Sequence, residues 1–184
     1  LLLELGGNNA TIVHDDADLE RASRECAANA FGYQGQSCIS VQRIYIQQSR
    51  YDEFTDKLVK RTLDLKIGNP ADLGVQIGPM ISDQAAMRAE SWINEAVDAG
   101  ASLLCGGTRD GAVLSPAILT NVPNNATLSC EEVFGPVVIL APYDQFSDAI
   151  ALVNDSSYGL QAGVFTYRLD NILSAIQGLE VGGV

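Results

Sequence analysis

Three short stretches of this 184-residue sequence hold residue types that could do covalent chemistry. In "FGYQGQSCIS", residues 31–40, Cys38 sits on a glycine-loosened bend between a helix-like run and a strand-like run. A thiol is a nucleophile only as thiolate, and at an ordinary pKa of about 8.5 a few per cent is ionised near neutrality. Glycines on the approach free backbone N–H groups to face the sulfur, or an oxyanion formed beside it. The alternative is a cysteine buried in a loop. In "LELGGNNA", Glu4 lies among leucines just before Gly6 and Gly7. Such a carboxylate is either a paired surface group or one whose pKa burial raises toward neutrality. The two glycines suit a turn or a ligand's close approach equally. In "SCEEVFGPVV", Glu131 and Glu132 precede Phe134 and a Gly-Pro turn. Adjacent carboxylates repel, so one is expected to face solvent and the other to find a donor, for which a ribose diol is suited.

The remaining reactive types have less to offer. Cys26 falls on a helical apolar stripe and reads as core, Cys105 ends an apolar strand, and Cys130 precedes two acids that discourage ionisation. No C-x-x-C pair exists and His14 is the only histidine, too few ligands for a zinc site, so no metal is expected. His14, between a strand and a helix, reads as a surface or capping residue. Free thiols point to a reducing, cytoplasmic setting. The net charge of −12 leaves no basic stripe for nucleic acid or an anionic membrane, and no apolar run approaches the roughly 20 residues that span a bilayer.

These groups must be held by an alternation of strands and helices. "NATIVH" reads as a strand ending in the N-cap candidates of "DDAD"; Leu19, Ala22, Cys26, Ala27, Ala30 and Phe31 then recur at helical spacing. "RIYIQ" is a strand. Tyr51, Phe54, Leu58 and Leu65 form a helical stripe capped by Ser49 or Asp52. A helix after Ser82 turns Ala85, Ala89, Trp92, Ile93, Ala96 and Val97 inward and stops at Gly100. "SLLC" and "PVVILA" read as buried strands, and "GAVLSPAILTNVPNN" between them as an extended, turn-rich connection. A helix through Phe146 and Val153, the strand "AGVFT" and the helix "DNILSAIQG" complete the chain. Apolar strands separated by amphipathic helices imply an α/β fold: one domain over 1–184, with an open, wound, mostly parallel sheet and helices on both faces. In such sheets functional groups are expected beyond the carboxyl ends of the strands. "LLLELGG" at one end and "LEVGGV" at the other look like cuts through structure, so a piece of a longer protein is expected.

Together the three stretches resemble the aldehyde dehydrogenase superfamily. "LELGGNNA" is similar to its glutamate motif; "FGYQGQSC" is similar to its cysteine motif, an aromatic, three residues, then Gly-Gln-x-Cys, at the family's spacing from Glu4. "EEVFGPV" resembles its cofactor-contact motif and "NDSSYGLQAGVFT" a further family stretch, so the resemblance runs from Leu1 to Val184. It implies the fold of the superfamily's catalytic domain and the oxidation of an aldehyde to an acid with NAD or NADP. Cys38 would attack the carbonyl, its own N–H receiving the oxyanion, and Glu4 would be the base that hydrolyses the thioester left after hydride departs. Glu132 would hold the nicotinamide ribose, with Phe134 beside the ring and Leu5 a further cofactor contact. Ser37 and Ile39 would touch substrate in a pocket of modest size. The resemblance also implies that the dinucleotide site and an asparagine oxyanion donor come from a preceding domain. The 184 residues alone are therefore expected to be inactive, and the full-length protein to be a homo-oligomer. Asn8 and Ala10 stand where many members have lysine and proline. A CoA-acylating relative would make the same thioester but often lacks the base. A non-catalytic scaffold would have no need of Cys38, Glu4 and Glu132 together.

Overall fold

A computed structural model describes residues 1–184. The elements, in order, are β1 (Asn9–Val13), α1 (Leu19–Phe31), β2 (Val41–Gln47), α2 (Tyr51–Leu63), α3 (Asp83–Asp98), β3 (Ser102–Cys105), β4 (Arg109–Asp110), β5 (Val113–Leu114), β6 (Ala117–Thr120), α4 (Thr127–Cys130), β7 (Val137–Tyr143), α5 (Phe146–Asn154), β8 (Ala162–Phe165) and α6 (Leu169–Gly178). Six strands make one sheet in the order β3-β6-β7-β2-β1-β8, and β4 and β5 form a separate small ribbon. Every pairing in the large sheet is parallel except β3 with β6.

Alternation along each strand builds the layers. Val13, Ile44, Ile46, Ile118, Val138 and Leu140 face α1 and α2, where Leu19, Ala22, Cys26, Ala30, Phe31, Phe54 and Leu58 meet them. On the opposite face, Ala10, Ile12, Tyr45 and Ala162 pack under α5 and α6. Farther along that face, Ala117, Leu119, Val137 and Ile139 pack under α3. The α1 stripe is buried as its spacing predicts, and Asp18 caps the helix by accepting from the N–H groups of Glu20 and Arg21. Ser82 caps α3 in the same way through Ala85 N, and Gly100 ends it at φ +105°.

Several expectations give way. The apolar opening "LLLELGG" packs into no strand of the sheet: β1 begins only at Asn9, and residues 1–6 are exposed. The turn-rich connection contains β6, a strand between β3 and β7 whose Ala117, Ile118 and Leu119 are buried and which its flanking prolines disguise. β3 is an edge strand, with Leu103 and Leu104 both more than a third exposed. Neither Ser49 nor Asp52 caps α2; a short 3₁₀ turn over Gln48–Arg50 leads into it, with the Gln47 side chain accepting from Ser49 N. Val97 faces solvent and Leu65 lies just past the end of its helix. His14 is not on the surface: it is buried, stacked on Tyr143 and bonded to that hydroxyl at 2.8 Å, with Arg168 on its other nitrogen at 3.1 Å.

Candidate active site

The three chemically capable stretches converge, but at the amino ends of the strands rather than beyond their carboxyl ends. Gly7 leads into β1, Cys38 into β2 and Phe134 into β7, and these three strands run parallel. The reason lies in the loops. Those arriving at the amino ends are long and glycine-containing, whereas the carboxyl end of β1 is filled by the His14–Arg168–Asp15 cluster and the capped start of α1.

The Cys38 loop is built from the end of α1 outward. Buried Phe31 anchors it, and Ser40 Oγ donates back to Ala30 O at 3.2 Å. Tyr33, Gln34 and Gly35 then take three successive left-handed conformations, with φ of 53°, 58° and 66°. For the two non-glycine residues this costs about 1–2 kcal/mol each, strain of the kind that persists where the surroundings over-determine a loop. Gly35 must be glycine twice over, since a β-carbon there would also overlap the carbonyl of Gly135. The Cys38 loop thus packs directly on the turn that follows Phe134. Ser40 N donates to Ser37 O at 3.0 Å, which places Cys38 and Ile39 at the two central positions of a tight turn. The Cys38 N–H donates to no protein atom, Cys38 is half-buried and Ile39 is exposed.

Two glycines bring the Glu4 segment into this site, and neither has a left-handed backbone; what each provides is the missing β-carbon. One added at Gly6 would stand 2.5 Å from Glu132 Oε2, and one at Gly7 would collide with the backbone oxygen of Cys38. Gly7 N donates to Glu132 Oε1 at 2.9 Å, leaving Oε2 free. Glu131 is exposed, as expected of one member of the pair, while Glu132 finds the donor; the Tyr158 hydroxyl also donates to Glu131 at 3.2 Å and accepts from Glu132 N at 3.3 Å. Glu4 and Leu5 are exposed. Phe134 holds a left-handed φ of 46° and is partly exposed.

Buried polar side chains to which the sequence gives no role fix these loops to one another. Asn9 donates from Nδ2 to Cys38 O at 2.7 Å and to Ser40 O at 3.0 Å, and accepts from Gln161 N at 3.1 Å. Asn8 Nδ2 reaches Ser129 O at 2.9 Å, just upstream of the two acids. Gln42 donates to Gly7 O and accepts from Val133 N. Arg43 is 3 % exposed and has no carboxylate partner; its five N–H groups go to Asn8 O, the Tyr45 hydroxyl and the carbonyls of Leu152 and Val153. The last two belong to the final turn of α5, whose negative dipole end offsets the buried charge. The one signal for these clamps is the polar "VQR" opening an otherwise apolar strand, and the pair "NN" ahead of another.

The other thiols are placed differently. Cys26 is fully buried, and desolvation pushes its pKa far up. Desolvation also raises Cys105, half-buried on β3. Cys130 is exposed at the end of α4, its Sγ against Asn124 O at 3.2 Å. His14 lies at the far end of β1 from the cysteine, about 15 Å away at about 3.3 Å per residue, so it is no partner for Cys38.

The Aldehyde dehydrogenase family model matches residues 1–184. The chain belongs to this family. It is 50% identical over 182 residues to 3-sulfolactaldehyde dehydrogenase of Priestia aryabhattai, covering 99% of the chain and 38% of that protein. It is 38% identical to lactaldehyde dehydrogenase of Methanococcus maripaludis, over 99% of the chain and 39% of the relative. Among solved structures, aldehyde dehydrogenase 21 from Physcomitrella patens in complex with the reaction product succinate superposes at a TM-score of 0.96 with 43% identity, over 98% of this chain and 38% of that one. Glyceraldehyde-3-phosphate dehydrogenase from Methanocaldococcus jannaschii, complexed with NADP, gives 0.95 and 38% over 98% of this chain and 39% of that one. The chain thus spans about two fifths of the length of the relatives it matches. No helix is long and apolar enough to cross a membrane.

Proposed function

We propose that these residues are the thiol-bearing catalytic domain of an NAD(P)-dependent aldehyde dehydrogenase, with Cys38 as nucleophile and Glu4 as general base. The observation that carries the reading is the contact of three chemically distinct loops at one end of the sheet: Gly7 against Cys38 O, and Glu132 on Gly7 N. The Cys38 thiolate forms a C–S bond to the aldehyde carbon, and the carbonyl electron pair moves onto oxygen, where the free Cys38 N–H receives it. As the oxyanion's electron pair re-forms the C=O bond, the C–H bond breaks and hydride departs; a bound nicotinamide would supply the acceptor. A thioester on Cys38 remains; Glu4 takes a proton from water, the water oxygen bonds the acyl carbon, and sulfur leaves as thiolate.

A dinucleotide fits the donor set. Glu132 has one oxygen spoken for and one free, suited to the two hydroxyls of a ribose, while Phe134 and Leu5 offer apolar surface beside it. Ser37 and Ile39 border the thiol on the substrate side. The relatives' names point to a short, oxygenated aldehyde of the sulfolactaldehyde or lactaldehyde kind as substrate. The presence of Glu4 favours hydrolysis of the thioester over its transfer to CoA. The rest of the enzyme supplies the dinucleotide-binding domain, and the full-length protein is a homo-oligomer of the cytoplasm. In the full-length enzyme, Cys38→Ser is expected to abolish aldehyde oxidation, and Glu4→Gln to keep one round of hydride transfer while stopping turnover. Full turnover by either variant would refute the assignment.

A further inference from the structure

Resting on the proposed function, we infer that Gln42 is a positioning residue that locks the base-bearing and cofactor-bearing loops into one frame. Asn9 of β1 pairs with Val41, but the next residue, Ala10, pairs with Arg43, so Gln42 is the extra residue of a β-bulge. Bulges beside active sites re-aim a side chain that regular pleating would point elsewhere. Here Val41 and Ile44, three apart, both pack toward α1 and α2, and the skipped residue is released from the alternation. Its amide has a use at each end. Nε2 donates to Gly7 O at 2.8 Å, in the segment that carries Glu4, and Oε1 accepts from Val133 N at 2.9 Å, between Glu132 and Phe134. At 2 % exposure the side chain has no solvent to replace either bond. The same two loops also meet through Gly7 N and Glu132 Oε1, so the backbone of Gly7 is held on both of its polar atoms. A primary amide is the chemistry this position requires, because it must donate in one direction and accept in the other.

The roles separate by variant. Gln42→Glu keeps an acceptor for Val133 N–H but sets a carboxylate against Gly7 O, so only the base side is released. Gln42→Leu releases both. In the full-length enzyme, p-nitrophenyl acetate acylates Cys38 without cofactor: the thiolate bonds the acetyl carbon and nitrophenolate leaves as a burst, then base-assisted hydrolysis sets the steady rate. NADPH or NADH fluorescence titration reads the cofactor side independently. Gln42→Glu is expected to lower the steady deacylation rate about tenfold, with full burst amplitude and a dinucleotide Kd within about threefold of wild type; Gln42→Leu is expected to lose about tenfold in both. Equal losses in both readouts for Gln42→Glu, or wild-type behaviour of either variant, would overturn the inference. Failure of both variants to fold would also overturn it, by making Gln42 a stability residue. A wild-type enzyme with no Cys38-dependent burst would overturn the proposed function, and this inference with it.

Discussion

Gly7→Ala isolates the contact on which the site depends. The Gly7 backbone lies outside the left-handed region, so alanine can adopt it without torsional strain. Its β-carbon, however, would sit about 1 Å inside the ordinary 3.4 Å contact distance of Cys38 O. The obstacle is backbone, so no rotamer change relieves it, and Asn9 Nδ2 at 2.8 Å blocks retreat on another side. Either the Glu4 segment or the Cys38 turn must move by that ångström. Overpacking of this kind costs about 1–3 kcal/mol, and a 1 Å misplacement of reacting groups costs about 10²-fold in rate. The assay is aldehyde-dependent NAD(P)H production by the full-length enzyme, alongside thermal unfolding. Gly7→Ala is expected to retain a cooperative transition at lower temperature and to lose about 10²-fold in kcat with little change in KM. Wild-type kcat in a folded variant would refute the argument that these loops touch through Gly7.

Further substitutions test other parts of the frame. Glu132→Gln keeps an acceptor for Gly7 N–H but loses the charge offered to a ribose; the dinucleotide Kd should rise about tenfold with Tm unchanged, checked by titration and thermal unfolding. Arg43→Met strands the carbonyls of Asn8, Leu152 and Val153 and is expected to cost about 3 kcal/mol in denaturant unfolding. At Asp16, desolvation raises the pKa, but hydrogen bonds from Tyr167 N and Thr166 Oγ1 outweigh it and hold the carboxyl below the ordinary range. A depressed carboxylate stabilises the fold above its unfolded-state pKa and ceases to as pH falls through its folded-state value. Asp16→Asn should therefore be less stable than wild type at neutral pH, with the difference closing in unfolding curves taken below about pH 4.

Periodicity made the packing legible. The α1 stripe from Leu19 to Phe31 and the apolar run of β7 announce their own burial, because side-chain spacing on a helix or strand is fixed by its pitch. β6 was hidden because four residues between Pro116 and Asn121 carry too short a pattern, and its burial comes from β3 and β7, which are remote in sequence. Cys38, Glu4 and Glu132 stand out by chemistry and motif. Their supports do not: Asn9, Gln42, Arg43 and Tyr158 act through long-range bonds to backbone atoms, and no local spacing encodes such partners. The bulge at Gln42 depends on register between strands, which a single sequence leaves open. The three chemically capable stretches meet away from the carboxyl ends because the glycine-bearing loops here lie on the entering side of β1, β2 and β7.

The most direct test of the proposed chemistry is to trap the acyl group. Full-length Glu4→Gln enzyme, mixed with aldehyde and NAD(P) and quenched in acid, should carry one acyl mass on the peptide containing Cys38 and one equivalent of reduced cofactor in solution. An adduct on exposed Cys130 instead, or reduced cofactor formed with no acylated cysteine, would contradict it.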